Sequence, residues 1–231
     1  MDVRMLPLLE GARKATGLTV IIDVFRAFSL ECYIYSRGAK LIYPVGSVET
    51  ALKLKEEHPD YILFGERQGA KIEGFEYGNS PSSIAHTDLS NKVIIHTTSA
   101  GTQGIVNAKN ADEIITGSLI NARAIADYIL SVKPDTVSLV PMGKGGMCEA
   151  REDTICAEYI RAMLLEQDYN IDYQISTLRH NGGEHFFDTD NQHVFPEPDF
   201  HLCIKRDIFP FVLKIENVAP DIMKSVKFDV K

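Results

Sequence analysis

Short apolar runs alternate with polar tips along most of this chain. Residues 18–24, 41–45, 61–64, 93–98, 113–116 and 136–140 form runs rich in β-branched side chains. Most are continuous rather than alternating. That is the pattern of a strand buried on both faces inside a helix-covered sheet. The segments between them carry helical signals. Residues 48–57 follow Ser47 as a candidate N-cap. Residues 121–131 open on Asn121 and keep an apolar stripe, and residues 151–167 open on three charged side chains. Strands alternating with helices predict an α/β three-layer sandwich around a mainly parallel or mixed sheet. After about Asp172 the rhythm changes. Residues 179–199, rich in Gly, Asp, His and Pro, predict a long loop, and residues 204–218 predict a helix or strand returning to the sheet edge. No linker and no repeat of 20–50 residues divides the chain, so residues 1–231 are read as a single domain.

The chemistry gathers where the apolar runs end. The first run closes on Asp23, with Arg26 three positions on. The third is followed by Glu66 and Arg67, and the fourth by Thr98, Ser99, Ala100, Gly101 and Thr102. The fifth is followed by Ser118, and the sixth by Gly143, Lys144 and two further glycines. In parallel α/β sheets ligands bind beyond the carboxyl ends of the strands, so these tips are expected to share one crevice. Carboxylates beside arginines, hydroxyls and Gly-rich backbone suit a phosphorylated substrate with a hard cation. Arg grips phosphate with a planar fork, Gly-rich turns aim N–H groups at anions, and oxygen-only donors favour Mg²⁺. The pair Glu152–Asp153 opens a helix. It serves either to offset the helix dipole or to ligate metal at the crevice rim. His180, His185, His193 and His201, with Asp188, Asp190 and Asp199, match no zinc template. A lid or interface loop is the favoured reading of 179–199.

Length and charge narrow the class. At 231 residues no metal or disulfide is needed to complete a core. Twenty-four Lys and Arg against 32 Asp and Glu leave a net charge of −8, which argues against nucleic acid as a partner. Cys32, Cys148, Cys156 and Cys203 form no CxxC pair and read as reduced thiols of a cytoplasmic protein. No run reaches the roughly 20 apolar residues of a membrane span. GxxxxGK[ST] and GxGxxG are absent.

The residues DVFRAF (23–28), GERQGAKIEGFEYGNSP (65–81), TTSAGT (97–102), GSLINARAIA (117–126) and EDTICAE (152–158) occur in this order. Together they resemble the 2-phosphosulfolactate phosphatase family over nearly the whole chain, the second block being the most specific. The resemblance implies a Mg²⁺-dependent hydrolase acting on a small anionic phosphomonoester, a step toward coenzyme M, in a protein that associates as an oligomer such as a homodimer. It carries over Asp23, Glu66 and Asp153 as metal-side ligands and Glu152 as a supporting group or base. Arg26 and Arg67 become clamps for substrate anions. Asn79, Ser80, Thr98, Ser99, Gly101, Thr102, Ser118, Gly143 and Lys144 become substrate contacts. Three places depart from the family pattern. Ala100 and Gln103 replace Asn and Arg, Phe28 and Ser29 replace two Thr, and Pro141-Met142-Gly143 replaces Cys-Ala-Gly. These departures leave room for an altered substrate, or for an anion binder without turnover. A phospho-enzyme on Asp23 stays open beside metal-assisted attack by water.

Overall fold

Two parallel half-sheets are stitched together by the C-terminal hairpin. The structure, a computed structural model, describes residues 1–230. The first half contains β1 (Asp2–Met5), β8 (Thr136–Pro141), β2 (Gly17–Ile22) and β7 (Ala111–Gly117), all mutually parallel. The second contains β3 (Leu41–Pro44), β6 (Val93–Thr97) and β4 (Ile62–Arg67), also parallel, with the two-residue β5 (Ala70–Lys71) folded back on β4. Between them run β9 (Phe211–Ala219) and β10 (Ile222–Asp229), antiparallel to each other, with β9 antiparallel to β7 and β10 antiparallel to β3, so the two halves run in opposite directions. The full order is β1-β8-β2-β7-β9-β10-β3-β6-β4-β5. The segment expected at the sheet edge is therefore its middle. Val212 and Leu213 have no exposed surface and enter opposite core clusters, which makes this stretch a central strand.

Helices cover both faces, as the continuous apolar runs require. On the first half, α5 (Ala122–Val132) and α6 (Arg151–Leu164) cover one face and meet Leu18, Val20, Ile22 and Leu139. α1 (Leu8–Lys14) and α4 (Gly101–Asn107) cover the other, against Ile21 and Val140. On the second half, α2 (Ala27–Ser36) packs on Ile42, Phe64 and Ile94, while α3 (Val48–Glu57) packs on Leu63 and Ile95. Ser47 caps α3 as expected, accepting from Thr50 N at 3.0 Å. The segment after α6 is not an open loop. It carries α7 (Ile171–Thr177), three short 3-10 turns and α8 (Glu197–Cys203). Phe186, Phe200 and Cys203 are buried against the first-half core, which explains why a stretch so rich in polar residues is nevertheless anchored.

The sheet is strongly curled. β2 and β4 stand six places apart in the strand order. At ~4.8 Å per strand a flat sheet would hold them roughly 29 Å apart. Yet Arg26, just beyond β2, donates to the carbonyl of Gly69, just beyond β4, at 3.0 Å. Curling brings the carboxyl ends of both halves to one crevice.

Candidate active site

Asp153 joins the tips of two neighbouring strands. It sits in the first turn of α6, and its Oδ1 accepts from Val24 N at 2.7 Å while Oδ2 accepts from Gly143 N at 2.8 Å. Val24 follows β2 and Gly143 follows β8. Gly143 has φ +64, and a Cβ there would lie 2.1 Å from the carbonyl oxygen of Cys148, so the turn needs glycine. Glu66 does the same for the second half. Its Oε1 accepts from Ser99 N at 2.6 Å, and its Oε2 from Gly69 N at 2.7 Å and Ser99 Oγ at 3.2 Å. Both carboxylates thus hold backbone amides that would otherwise lack partners.

Two other carboxylates, Asp23 and Glu152, are held by fewer strong hydrogen bonds. Asp23 Oδ1 accepts from Ala27 N at 3.2 Å. Glu152 is buried, and its Oε2 has no partner among the described residues. Burial, and then the neighbouring charges of Asp153 and Glu66, push the Asp23 carboxyl up to about 8. Burial also raises Glu152, to about 7, with Asp23 adding to the effect. Asp153 is raised by burial and by Glu152.

These groups line a crevice of about 440 Å³ with Phe25, Arg26, Gln68, Gly69, Asn79, Ser99, Ala100, Gly143, Lys144, Gly145, His185 and Phe195. Four carboxylates thus face two cations, and Arg26 is already engaged. It donates to Asp199 Oδ2 at 2.8 Å with both side chains buried, and its guanidinium lies 5.1 Å from the Phe195 ring centroid. Asp199 also accepts from Ser80 Oγ and Ser82 N. Ser80 therefore serves the anchoring of α8 and does not line the crevice. His185 is held down to about 4 by burial, Lys144 and Arg26, so it is a neutral wall at ordinary pH.

Other expected contacts lie elsewhere. Thr98 and Thr102 are buried and bond each other's backbone, closing the turn into α4. Gly101 packs beside Asp23, where a Cβ would stand 3.0 Å from Oδ2. Ser118 forms a reciprocal cap with Asn121, so the β7 tip adds nothing to the crevice. Arg67 faces a separate shallow depression with Gln103, Thr98 and Ser99, and donates to Thr97 Oγ1 and the Glu66 carbonyl. Gln103 bonds the Gly46 carbonyl there. Of the two departures on this loop, only Ala100 touches the crevice. Sequence reasoning did not single out Phe25, Gln68, Gly69 or Phe195 as site residues. Asp199 and His185 were expected in a lid or interface loop, with no role as an Arg26 anchor and a crevice wall. Phe25 carried a local signal inside the first tip, and Gln68 and Gly69 one inside the 65–81 block, whereas Phe195 carried none.

Oxygen donors alone suit a hard cation, and the unpartnered Glu152 oxygen near Asp23 fits one. Among the described residues no three His, Cys, Asp or Glu side chains gather closely enough to hold a metal by themselves. Two protein carboxylates completed by water and substrate oxygens is the usual Mg²⁺ arrangement. Nor is any described helix long and apolar enough to cross a membrane.

An α/β scaffold with an acidic, glycine-bordered crevice at its carboxyl edge is the class defined so far. The 2-phosphosulpholactate phosphatase family model matches residues 6–218. A protein of Bacillus subtilis named probable 2-phosphosulfolactate phosphatase is 30% identical over 206 residues, covering 87% of each chain. One of the same name from Clostridium acetobutylicum is 32% identical over 211 residues, covering 86% of this chain and 89% of its own. A Thermoplasma volcanium protein, also so named, is 29% identical over 210 residues, covering 90% of this chain and 94% of its own. The chain belongs to the 2-phosphosulpholactate phosphatase family.

Proposed function

We propose that the protein is a Mg²⁺-dependent phosphatase of a small phosphorylated acid, with 2-phospho-3-sulfolactate the first substrate to test. The observation that carries this reading is the charge of the crevice. Four carboxylates crowd Lys144 and an Arg26 already paired with Asp199, and burial and mutual repulsion resist ionisation of Asp23, Glu152 and Asp153 unless a cation joins them. Asp23 and Glu152, both lining the crevice, would hold that cation. Asp153 and Glu66 would fix the walls around it. A bound Mg²⁺ supplies polarisation of the phosphoryl oxygens and neutralises developing charge.

The chain's own groups then divide the work. Lys144 meets an anionic group of the substrate, and the Gly143–Gly145 turn offers backbone donors. Phe25, Phe195 and neutral His185 form an apolar wall that excludes water from one side. A carboxylate with a raised pKa can take the proton of an attacking water, and Glu152, which lines the crevice, is the candidate. Water attacks phosphorus, the ester P–O bond breaks, and the alcohol leaves with a proton. A panel of phosphorylated acids assayed with Mg²⁺ and with EDTA tests the reading. Mg²⁺-dependent phosphate release is expected, and full turnover in chelator would overturn the metal role. Ala100, where the family pattern has Asn, removes an amide from the crevice. It favours a second reading, in which the preferred acid carries fewer anionic groups than sulfolactate. A panel preference for a carboxylate-only ester would select that reading.

A further inference from the structure

A buried polar chain runs from α2 to the crevice without touching Asp23, Glu66, Glu152 or Asp153. Glu31 on α2 and His96 on β6 have no exposed surface, and His96 Nδ1 lies 2.8 Å from Glu31 Oε1. On the far side of the ring, His96 Nε2 lies 3.1 Å from Asn79 Oδ1. Asn79 lines the crevice, and its Nδ2 has no acceptor among the described residues. Among the described residues Glu31 Oε2 has no hydrogen-bond partner, and no Lys or Arg pairs with Glu31.

We propose that Glu31 and His96 are positioning residues that turn Asn79 so that its amide N–H groups, not its carbonyl, face the crevice. An ionised carboxylate enclosed in apolar surroundings is costly unless paired, so the Glu31–His96 unit carries no net charge. Two arrangements meet that condition. Either the carboxylate accepts from the Nδ1–H of an imidazolium, or a protonated carboxyl donates to Nδ1 of a neutral ring. Both leave a hydrogen on Nε2. Nε2 therefore donates to Asn79, the acceptor must be Oδ1, and Nδ2 is left pointing at the ligand space. Only the neutral ring protonated on Nδ1, beside an ionised Glu31, would reverse the amide, and it leaves a buried charge unbalanced. Asn79 then offers N–H donors to one anionic oxygen on the half of the crevice that lacks cations. This rests on the reading that the crevice takes a phosphorylated anion.

The test uses the full-length chain, ¹⁵N-labelled, with Mg²⁺ present. Long-range ¹H–¹⁵N correlations of His96 read its tautomer without any turnover. A protonated Nε2 is expected between pH 6 and 8, and a bare Nε2 would overturn the proposal. The Asn79 side-chain NH₂ resonance should shift on titration with inorganic phosphate. Glu31→Gln frees the ring to adopt either tautomer. It should weaken phosphate binding about 10-fold and raise KM with kcat nearly unchanged. A merely structural role would lower both or neither. If Glu31→Gln is poorly folded, the wild-type tautomer decides alone. Absence of any phosphatase activity with Nε2 protonated would remove the proposed function and leave this inference standing. Turnover with Nε2 bare would do the opposite.

Discussion

The two half-sheets meet the same crevice with different chemistry. The first half brings charge: Asp23 from the β2 tip, Glu152 and Asp153 from α6, and Lys144 from the turn after β8. The second half brings mostly neutral groups, Asn79, Gln68, Ser99 and Ala100, and its one carboxylate, Glu66, is spent on holding Gly69 and Ser99 in place. Charge is thus concentrated on one half, while the other supplies shape and hydrogen bonds. Neither half is a site alone, because the curl of the sheet sets the distance between them. The Arg26 contacts to Asp199 and to the Gly69 carbonyl are the most direct tie across the gap.

The sharpest way to break this comparison is at Asp23. Asp23→Asn should lower kcat/KM by at least about 10²-fold, because a group that moves protons or holds the cation is lost. In metal-free protein the same change should stabilise the fold by on the order of 3 kcal/mol at pH 8, since a buried carboxylate no longer has to ionise. Denaturant titration and steady-state rates measured on one preparation should move in opposite directions. A variant that loses stability and keeps activity would contradict the assignment of charge to this half.

The raised acids also predict a pH slope. Asp23 at about 8 and Glu152 at about 7 bind protons more tightly folded than unfolded, where Asp and Glu return to 3.8 and 4.5. The folded state therefore holds more protons than the unfolded one between about pH 4 and 8, and stability falls as pH rises through that window. Metal-free protein should be more stable at pH 5 than at pH 8, again by on the order of 3 kcal/mol. Saturating Mg²⁺ should flatten the slope. A level profile without metal would show that the two carboxylates are not crowded in solution.

Asp153→Asn should cost about 2 kcal/mol of stability, because the amide can accept from one of Val24 and Gly143 but not both. Glu66→Gln should cost less, about 1 kcal/mol. Ser99 and Gly69 lie partly exposed, and water can replace the lost bond. Hydrogen exchange should place the first loss at the β2 and β8 tips and the second at the turn after β4. Smallest of all, Arg67→Ala should change kcat/KM by less than about 3-fold, because Arg67 lies outside the crevice and bonds its own loop. A loss above about 10-fold would reinstate it as a substrate clamp and move charge onto the second half.

The layered α/β architecture, and the carboxyl ends of the strands as the place to look, follow from local pattern alone. Short continuous apolar runs rich in β-branched residues fit strands covered on both faces, and the runs beginning near 18, 41, 61, 93, 113 and 136 became β2, β3, β4, β6, β7 and β8. Asp23, Glu66, Gly143, Lys144, Glu152 and Asp153 were legible because each follows such a run or opens the helix after it. Only the tertiary structure decided the rest. A tip residue looks the same in sequence whether it faces a ligand or closes its own turn, so the retreat of Thr98, Thr102 and Ser118 into local hydrogen bonds was invisible. The order of strands in the sheet is long-range, so nothing local could seat β9 and β10 at the centre or curl β4 toward β2. The partnership of Arg26 with Asp199, 173 residues apart, likewise depends on where α8 docks. Local periodicity reports which faces are buried, whereas the pairing of distant faces is set by how the whole core closes.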